Sequence, residues 1–560
     1  MIRPAPLLLL MAGLTATFVF STAAAASSKT SSSSAAAAPL PSPSTATVSN
    51  GSPIPATSAA ATDVSSNNIN RPKAMAPQTI ATTVNTAVNA SPTSPPSDRF
   101  PFLEPLRRRY SHQPTFLQAV EEMALALQPL FSDPKRGSFY LRAFLVMTEP
   151  ERTVSFRVPW TDDSGHLQHN RGWRVEFNSA LGPYKGGLRF HPTVDEGVLK
   201  FLGFEQVFKN ALTGLPLGGG KGGSDFDPRG RSAGEVRRFC ESFMAELHRH
   251  LHPSTDVPAG DIGVGGREIG YLYGQYKRLT NRHGEAVLTG KGLAIGGSHV
   301  RPEATGYGLV YLSDLAIEGR GGARSDDGSS GSSGRPPIQS LKGARCAVSG
   351  SGNVAQYAAR KLLDLGARVM TVSDSDGVLV FPEGGMTERD WEVVTDAKQN
   401  RRVRLSAIEG EVTGRYVAGE TPWSVDVAYD YAYPCATQNE VDGEGARRMV
   451  RGGLLGLFEG ANLPTTMEGQ EVLRASGALY VPGKASNAGG VGVSGFEMSQ
   501  NAQRLRWTEE EVDGRLRDLM AGIYEQMTSV PGEAVTLEQG ANRAGFLKVA
   551  KAMEELGWVY

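Results

Sequence analysis

The 560-residue chain has only three cysteines, Cys240, Cys346 and Cys435. They are odd in number, far apart and form no C-x-x-C pair, which excludes a disulfide scaffold and a cysteine-based zinc site; no metal is expected. Net charge is also lacking, since 57 Lys and Arg oppose 58 Asp and Glu for a balance of -1. No overall basic field therefore exists to hold a nucleic acid or an anionic membrane. Beyond Phe20 no stretch reaches the ~18 consecutive apolar residues of a membrane span, and no internal repeat is visible. Glycine, in contrast, is abundant at 66 residues, well above the usual ~7%.

Composition changes near residue 100. Before it stand two acids, Asp63 and Asp98, against five bases, Arg3, Lys29, Arg71, Lys73 and Arg99. Pro6 to Phe20 carries an apolar run too short for a membrane span, followed by Ser21-Thr22-Ala23-Ala24-Ala25, a small-residue cleavage pattern. Ala, Ser, Thr, Pro and Asn then dominate to Pro96, without the apolar periodicity that could offset the entropy of ordering. Residues 1–100 thus read as a signal-like or transit-like leader with a disordered, low-complexity segment. The expected destination is an organelle, a plastid ahead of a mitochondrion; secretion is the alternative, and the odd cysteines argue against it. Once the leader is removed, no membrane attachment is expected.

Globular patterning begins at Phe102. Phe116, Val120, Met123, Leu125 and Leu127 recur at mostly helical intervals and predict an amphipathic core helix over Phe116 to Phe131. Val154 to Val158 and Arg174 to Phe177 flank the turn-like Asp162-Asp163-Ser164-Gly165 and predict antiparallel strands. Glu318 to Pro337 has the composition of a flexible surface insertion. After it, a strand over Arg345 to Val348, a glycine turn, a helix over Ala355 to Leu363 and a strand over Arg368 to Val372 make a β-α-β unit.

That turn is Gly350-Ser351-Gly352-Asn353-Val354-Ala355, a G-x-G-x-x-A string in the one setting that gives it meaning. The first glycine permits the tight turn, the second admits a pyrophosphate to the backbone, and the helix dipole faces the phosphates. A dinucleotide site is expected. Asp374, in Ser373-Asp374-Ser375, stands 24 residues past Gly350, about where an acid holds the adenine ribose hydroxyls and favours NAD. Downstream, Lys398, Arg401, Arg402 and Arg404 form a basic cluster able to face the 2′-phosphate of NADP. Read physically, these residues leave both cofactors open.

Three lysines sit in unusual surroundings: Lys185 in P-Y-K-G-G-L-R-F-H, Lys209 in F-E-Q-V-F-K-N-A-L and Lys221 in L-G-G-G-K-G-G-S. Gln206 and Lys209, three apart, share a helix face and could hold a carboxylate together; a Glu205–Lys209 pair on an exposed helix is the plainer alternative. The glycines around Lys221 remove neighbouring side chains, as in an approach loop for substrate or a mobile glycine loop. A lysine that moves protons near neutrality needs its pKa lowered to ~7 to 8 by burial and charge. Asp261, in the small-residue loop Val257 to Gly263, is a reasonable proton partner, or a turn cap.

Six stretches then carry a resemblance: R-V-P-W at 157–160, N-S-A-L-G-P-Y-K-G-G-L-R-F-H at 178–191, L-P-L-G-G-G-K-G-G-S-D-F-D-P at 215–228, D-V-P-A-G-D-I-G at 256–263, R-P-E-A-T-G-Y-G at 301–308 and N-A-G-G-V-G-V-S-G-F-E-M at 487–498. Over Glu151 to Tyr311 and from Leu341 to the end, the chain resembles the hexameric, NADP-dependent type of glutamate dehydrogenase in the Glu/Leu/Phe/Val dehydrogenase family. The resemblance implies an α/β fold of two domains around a cleft. These are a substrate-binding and oligomerisation domain at 101–299 and a Rossmann-like NAD(P)-binding domain at 300–535, with the insertion at 318–337. A final helix at 536–560 would return to the first domain. The implied catalytic pair is Lys221 with Asp261. Lys185 and Ser494 would hold the distal carboxylate, Gln206 and Lys209 the nearer one, the Gly260 carbonyl the amino group, and Val491 would line the slot. Thr305, Gly350, Gly352, Asn353, Val354, Ser373, Asp374 and Lys398 would serve the cofactor. The S-D-S string with Lys398 and Arg404 looks like the NADP branch and outweighs the simple acid rule for NAD.

The expected reaction is the reversible oxidative deamination of L-glutamate to 2-oxoglutarate and ammonium with NADP(H), serving nitrogen assimilation, in a homohexamer. Two rival readings conflict with particular residues. A dehydrogenase of an apolar amino acid would have no use for Lys185 and Ser494 at the far end of its pocket, because an unpaired buried lysine is costly. A silent regulatory subunit would be expected to lack Lys221 or Asp261.

Overall fold

A computed structural model describes residues 100–324, 340–530 and 536–560. The leader reading falls outside the described residues, as do positions 325–337 of the expected insertion. Its first part, Glu318 to Arg324, is instead the last turns of a long helix, Ala304–Arg324. Globular structure also starts slightly earlier than expected, because Phe100 is buried and packs 5.6 Å from Phe102.

The first sheet orders β1 (Arg152–Thr161), β2 (Leu167–Asn178), β4 (Gly218–Ser224), β3 (Tyr184–Phe190) and β5 (Asp256–Gly260). β1, β2 and β4 pair antiparallel, while β4, β3 and β5 pair parallel. Helices cover both faces. Phe116 and Phe204, from helices Pro114–Phe131 and Glu196–Leu212, meet Val175 and Phe177 of β2 on one face. Phe239 and Ile269, from helices Ala233–Leu247 and Gly266–Thr280, meet Leu188 and Phe190 of β3 on the other. Asp195 starts helix Glu196–Leu212 by accepting the Val198 amide at 2.8 Å, supplying a partner to an otherwise orphaned donor.

β4 corrects the sequence expectation most. The glycines around Lys221 are neither a mobile loop nor an approach loop, but a wholly buried strand between β2 and β3. Glycine is required there by contact: a Cβ on Gly219 would lie 2.7 Å from the Cα of Val207, and one on Gly223 would overlap the Arg189 carbonyl. The segment expected as a second small-residue loop is likewise mostly strand, β5, with Asp261 immediately after it.

The second sheet orders β12 (Leu479–Val481), β11 (Gly456–Phe458), β10 (Tyr431–Tyr433), β6 (Arg345–Val348), β7 (Arg368–Asp374), β8 (Gly377–Val380) and β9 (Arg415–Ala418). The first five pair parallel, and β8 pairs antiparallel with both β7 and β9. The expected β-α-β unit is present as β6, helix Asn353–Asp364 and β7. Chain order reverses across β6, between β7 on one side and β10 on the other, so a crevice opens beyond the carboxyl ends of these strands, where open α/β sheets bind ligands.

The last helix, Leu537–Glu555, packs Phe546, Val549, Ala550 and Met553 into the core formed by Phe116, Phe144 and Phe204. No described helix is long and apolar enough to cross a membrane.

Candidate functional site

A cavity of about 500 Å³ lies between β3, β5 and helix Glu196–Leu212 on one side and helices Ala304–Arg324, Asn353–Asp364 and Gly489–Gln503 on the other. Its wall brings together Lys185, Gln206, Lys209, Lys221, Gly260, Asp261, Thr305, Val354, Val491 and Ser494. Gly350, Gly352, Asn353, Ser373, Asp374 and Lys398 do not line this cavity; they lie around the β6 turn and the end of β7.

Lys221 projects from β4 and its Nζ stands 3.0 Å from Asp261 Oδ2. Burial lowers the Lys221 pKa, and the positive charge of Arg189 lowers it further against the opposing pull of Asp261. Burial by itself would raise Asp261, but Arg189 and Lys221 reverse this and hold the carboxyl well below its ordinary range.

Lys185 is fully buried. Its Nζ donates to the Val257 carbonyl at 2.9 Å and to Thr289 Oγ1 at 2.8 Å, and no acid among the described residues forms a salt bridge with it. Burial, then the neighbouring guanidinium of Arg301, pushes its pKa well down. Arg301 in turn donates from Nε to Ser494 Oγ at 2.9 Å. Lys209 donates to Asn462 Oδ1 at 2.9 Å, and burial followed by Lys221 lowers its pKa to about 7. Gln206 donates to Asn210 Oδ1 at 2.7 Å. The alternative Glu205–Lys209 pair does not form, since Glu205 is buried against Lys484 at 3.2 Å. Five cationic side chains, Lys185, Arg189, Lys209, Lys221 and Arg301, and one carboxylate, Asp261, line the cavity.

Sequence reasoning missed Arg189, Arg301 and Asn462. Arg189 was detectable, because Lys185, Gly187 and Arg189 alternate on β3 and period two puts them on one face. Arg301 stands four residues before Thr305, yet only the tertiary turn into helix Ala304–Arg324 aims it at Ser494. Asn462 had no local signal.

The turn after β6 has the features a pyrophosphate needs. Gly350 has φ +81° and packs on Cys435 and Ala436, while a Cβ on Gly352 would meet nothing within 4 Å. Gly352 is the N-cap of helix Asn353–Asp364 without any side-chain cap, so first-turn amides face open space. Three of the residues expected at the cofactor also bond within the protein. Ser373 Oγ accepts the Gly350 amide at 2.8 Å and so braces the turn. Asn353 donates its side-chain amide to the Pro302 carbonyl. Asp374, expected at the ribose, accepts the Asp376 amide at 3.1 Å and the Leu405 amide at 2.8 Å. The basic cluster also divides: Lys398 lies 4.0 Å from Asp374 and Arg404 donates to Ser375 Oγ at 2.6 Å, whereas Arg401 pairs with Asp396 and Glu411.

Comparison with known proteins identifies the family. Residues 150–278 match the model of the Glu/Leu/Phe/Val dehydrogenase dimerisation domain, and residues 296–557 match that of the glutamate/leucine/phenylalanine/valine dehydrogenases. The chain is 50% identical over 455 residues to the NADP-specific glutamate dehydrogenase of Escherichia coli K12, covering 81% of this chain and 97% of that one. It is 51% identical over 449 residues to the NADP-specific glutamate dehydrogenase of Chlorella sorokiniana, covering 80% and 82%. The crystal structure of Plasmodium falciparum glutamate dehydrogenase is similar at a TM-score of 0.75 and 44% identity, covering 86% of this chain and 96% of that one.

Proposed function

This chain belongs to the Glu/Leu/Phe/Val dehydrogenase family, and on that premise we propose that it is an NADP-dependent glutamate dehydrogenase. It interconverts L-glutamate, NADP and water with 2-oxoglutarate, ammonium, NADPH and a proton. The observation that carries the substrate assignment is the fully buried Lys185, whose bonded partners among the described residues are a carbonyl and a hydroxyl. An apolar amino acid would leave that charge uncompensated, at a cost of several kcal/mol; a second carboxylate compensates it. The cavity's excess of cations over Asp261 supports a dianionic substrate for the same reason.

In this reading Lys185, with Ser494 beside Arg301, holds the distal carboxylate, and Gln206 and Lys209 hold the one next to the reacting carbon. The Gly260 carbonyl orients the amino group, and Val491 sets the width of the slot. Bound NADP supplies hydride acceptance at its nicotinamide. Lys221 activates water at the imine carbon, for which a lowered pKa suits it. Asp261 carries protons between the amine and Lys221. Gly350, Gly352 and Val354 receive the pyrophosphate at the helix N-terminus, Thr305 faces the nicotinamide end, and Asn353 and Ser373 hold the surrounding turn. Lys398 and Arg404, fixed by Asp374 and Ser375, take the 2′-phosphate that distinguishes NADP.

The proposed domain limits remain 101–299 and 300–535, with 536–560 returning. A homohexamer is the proposed assembly; the dimerisation-domain match over 150–278 supports self-association. A plastid destination is proposed for the mature protein, acting in nitrogen assimilation. The Chlorella sorokiniana relative supports it, because there too a substantial part of each chain lies outside the match. The test is the rate of cofactor oxidation by the purified full chain with 2-oxoglutarate and ammonium. Turnover with a strong preference for NADPH over NADH is expected; no turnover with either would overturn the reading.

A further inference from the structure

Arg189 stands four residues beyond Lys185 on β3 and has no part in the roles above. Its Nε donates to Asp261 Oδ2 at 2.9 Å, and Lys221 Nζ lies 3.0 Å from that same oxygen. The three side chains are 14%, 18% and 5% exposed. Adjacent strands deliver this arrangement. Leu188 pairs with Gly260 across β3 and β5, which sets Arg189 beside Asp261. On the other side, Arg189 pairs with Gly223 of β4, where no side chain fits against its carbonyl. Asp261 itself follows the end of β5, where its side chain would otherwise be free to choose among rotamers.

We propose that Arg189 is a positioning residue for proton transfer, pinning Asp261 Oδ2 where it meets both Lys221 and the amino group or water at the reacting carbon. The bond comes from Nε of a planar, permanently charged guanidinium. During turnover one proton passes from water or amine to Asp261 and leaves to solvent or Lys221; Arg189 gains and loses none. Besides Arg189, the charged groups facing Asp261 are Lys221 on β4 and Lys209 on helix Glu196–Leu212, while His191 lies beyond Arg189. The inference rests on the dehydrogenase reading for its kinetic consequence, but its geometric claim can be measured without turnover.

The experiment compares the full-length protein with Arg189→Gln, Arg189→Lys and Asp261→Asn. Isotope-edited infrared spectra of protein labelled at the aspartate carboxyl carbon follow protonation with pH, and the Asp261→Asn spectrum identifies the band. In Arg189→Gln the Asp261 midpoint should rise by about one to three pH units, the usual influence of an adjacent opposite charge. Arg189→Lys should reverse most of that rise, because it keeps the cation. In kinetics Arg189→Gln should lower kcat by about 10- to 100-fold with NADPH affinity within twofold, and the acid limb of its pH profile should move upward in parallel. An unchanged Asp261 midpoint would overturn the proposal even if activity fell. A raised KM for 2-oxoglutarate with kcat intact would also overturn it, making Arg189 a substrate cation. Absence of turnover in the parent protein would strike the dehydrogenase reading alone, leaving the infrared result to decide the placement of Arg189.

Discussion

Asp374 Oδ2 accepts the backbone amide of Leu405 at 2.8 Å. The bond ties the carboxylate at the end of β7 to the segment that carries Lys398 and Arg404. A second bond, from the Asp376 amide to Oδ1, occupies its other oxygen. Arg404 donates to Ser375 Oγ at 2.6 Å and pairs with Asp376 at 3.2 Å, while Lys398 lies 4.0 Å from Asp374.

Replacing both Lys398 and Arg404 with Ala should therefore weaken NADPH selectively. Each charge-assisted bond is worth about 1.5–3 kcal/mol, so KM for NADPH should rise at least about tenfold while that for NADH changes little. Steady-state kinetics with the two cofactors measure this. Equal losses for both would mean that the segment supports the fold and does not read the 2′-phosphate.

Lys221→Ala should lower kcat by about 10²- to 10⁴-fold, the range for a positioned acid–base group. NADPH binding, followed by fluorescence titration, should stay near the parent value because Lys221 lies on β4, away from the β6 turn. Turnover close to the parent's would remove Lys221 from the proposed mechanism.

Lys185→Leu with Ser494→Ala should raise KM for 2-oxoglutarate by about 100-fold or more, since the distal carboxylate would lose a buried charged donor and a hydroxyl. Activity toward 2-oxo acids with apolar side chains should rise relative to 2-oxoglutarate. Unaltered glutamate kinetics would show that the distal carboxylate binds elsewhere.

Gly219→Ala tests the packing of β4. Its methyl would press into the backbone of Val207 on helix Glu196–Leu212, and overpacking of this kind costs about 1–3 kcal/mol. Thermal unfolding should show the loss, accompanied by lower activity because the same strand carries Lys221. A variant as stable as its parent would mean that helix and strand can separate without penalty.

Glu459 provides a pH prediction. It is 1% exposed, and burial raises its pKa to about 7 in spite of bonds from the Gly483 amide and the Tyr480 hydroxyl. Its folded pKa exceeds the unfolded value of about 4.3, so the folded protein holds an extra proton between them. The stabilisation this proton brings is complete below pH ~4 and is lost as pH rises through about 7. The stability of the parent relative to Glu459→Gln should accordingly fall between pH 5 and pH 8, by no more than about 3 kcal/mol. A difference that is flat across that range would show that Glu459 does not titrate there.

Elements with a strong local period were legible in the chain. The helix through Phe116, Val120 and Met123, the β1–β2 hairpin around Gly165, and the unit β6, helix Asn353–Asp364 and β7 all depend on neighbours within a few residues. Glycine runs were harder to read. One composition, G-G-G-K-G-G, describes a loop when nothing covers it and a buried strand when Val207 and the Arg189 carbonyl lie against it, and neither contact is local. Helix Ala304–Arg324 shows the same limit, because its final turns run into residues whose composition alone reads as an insertion.

The sequence by itself determined which residue types are available: lysines among glycines, an acid after a small-residue strand, and a glycine turn between strand and helix. Tertiary structure alone decided their electrostatic meaning. Among the described residues Lys185 is buried without a bonded acid, Lys221 faces Asp261, and Asp374 accepts the Leu405 amide because residues up to hundreds of positions apart are packed together. Burial and charge proximity set pKa and ligand preference, and both are properties of three-dimensional distance that no spacing along the chain encodes.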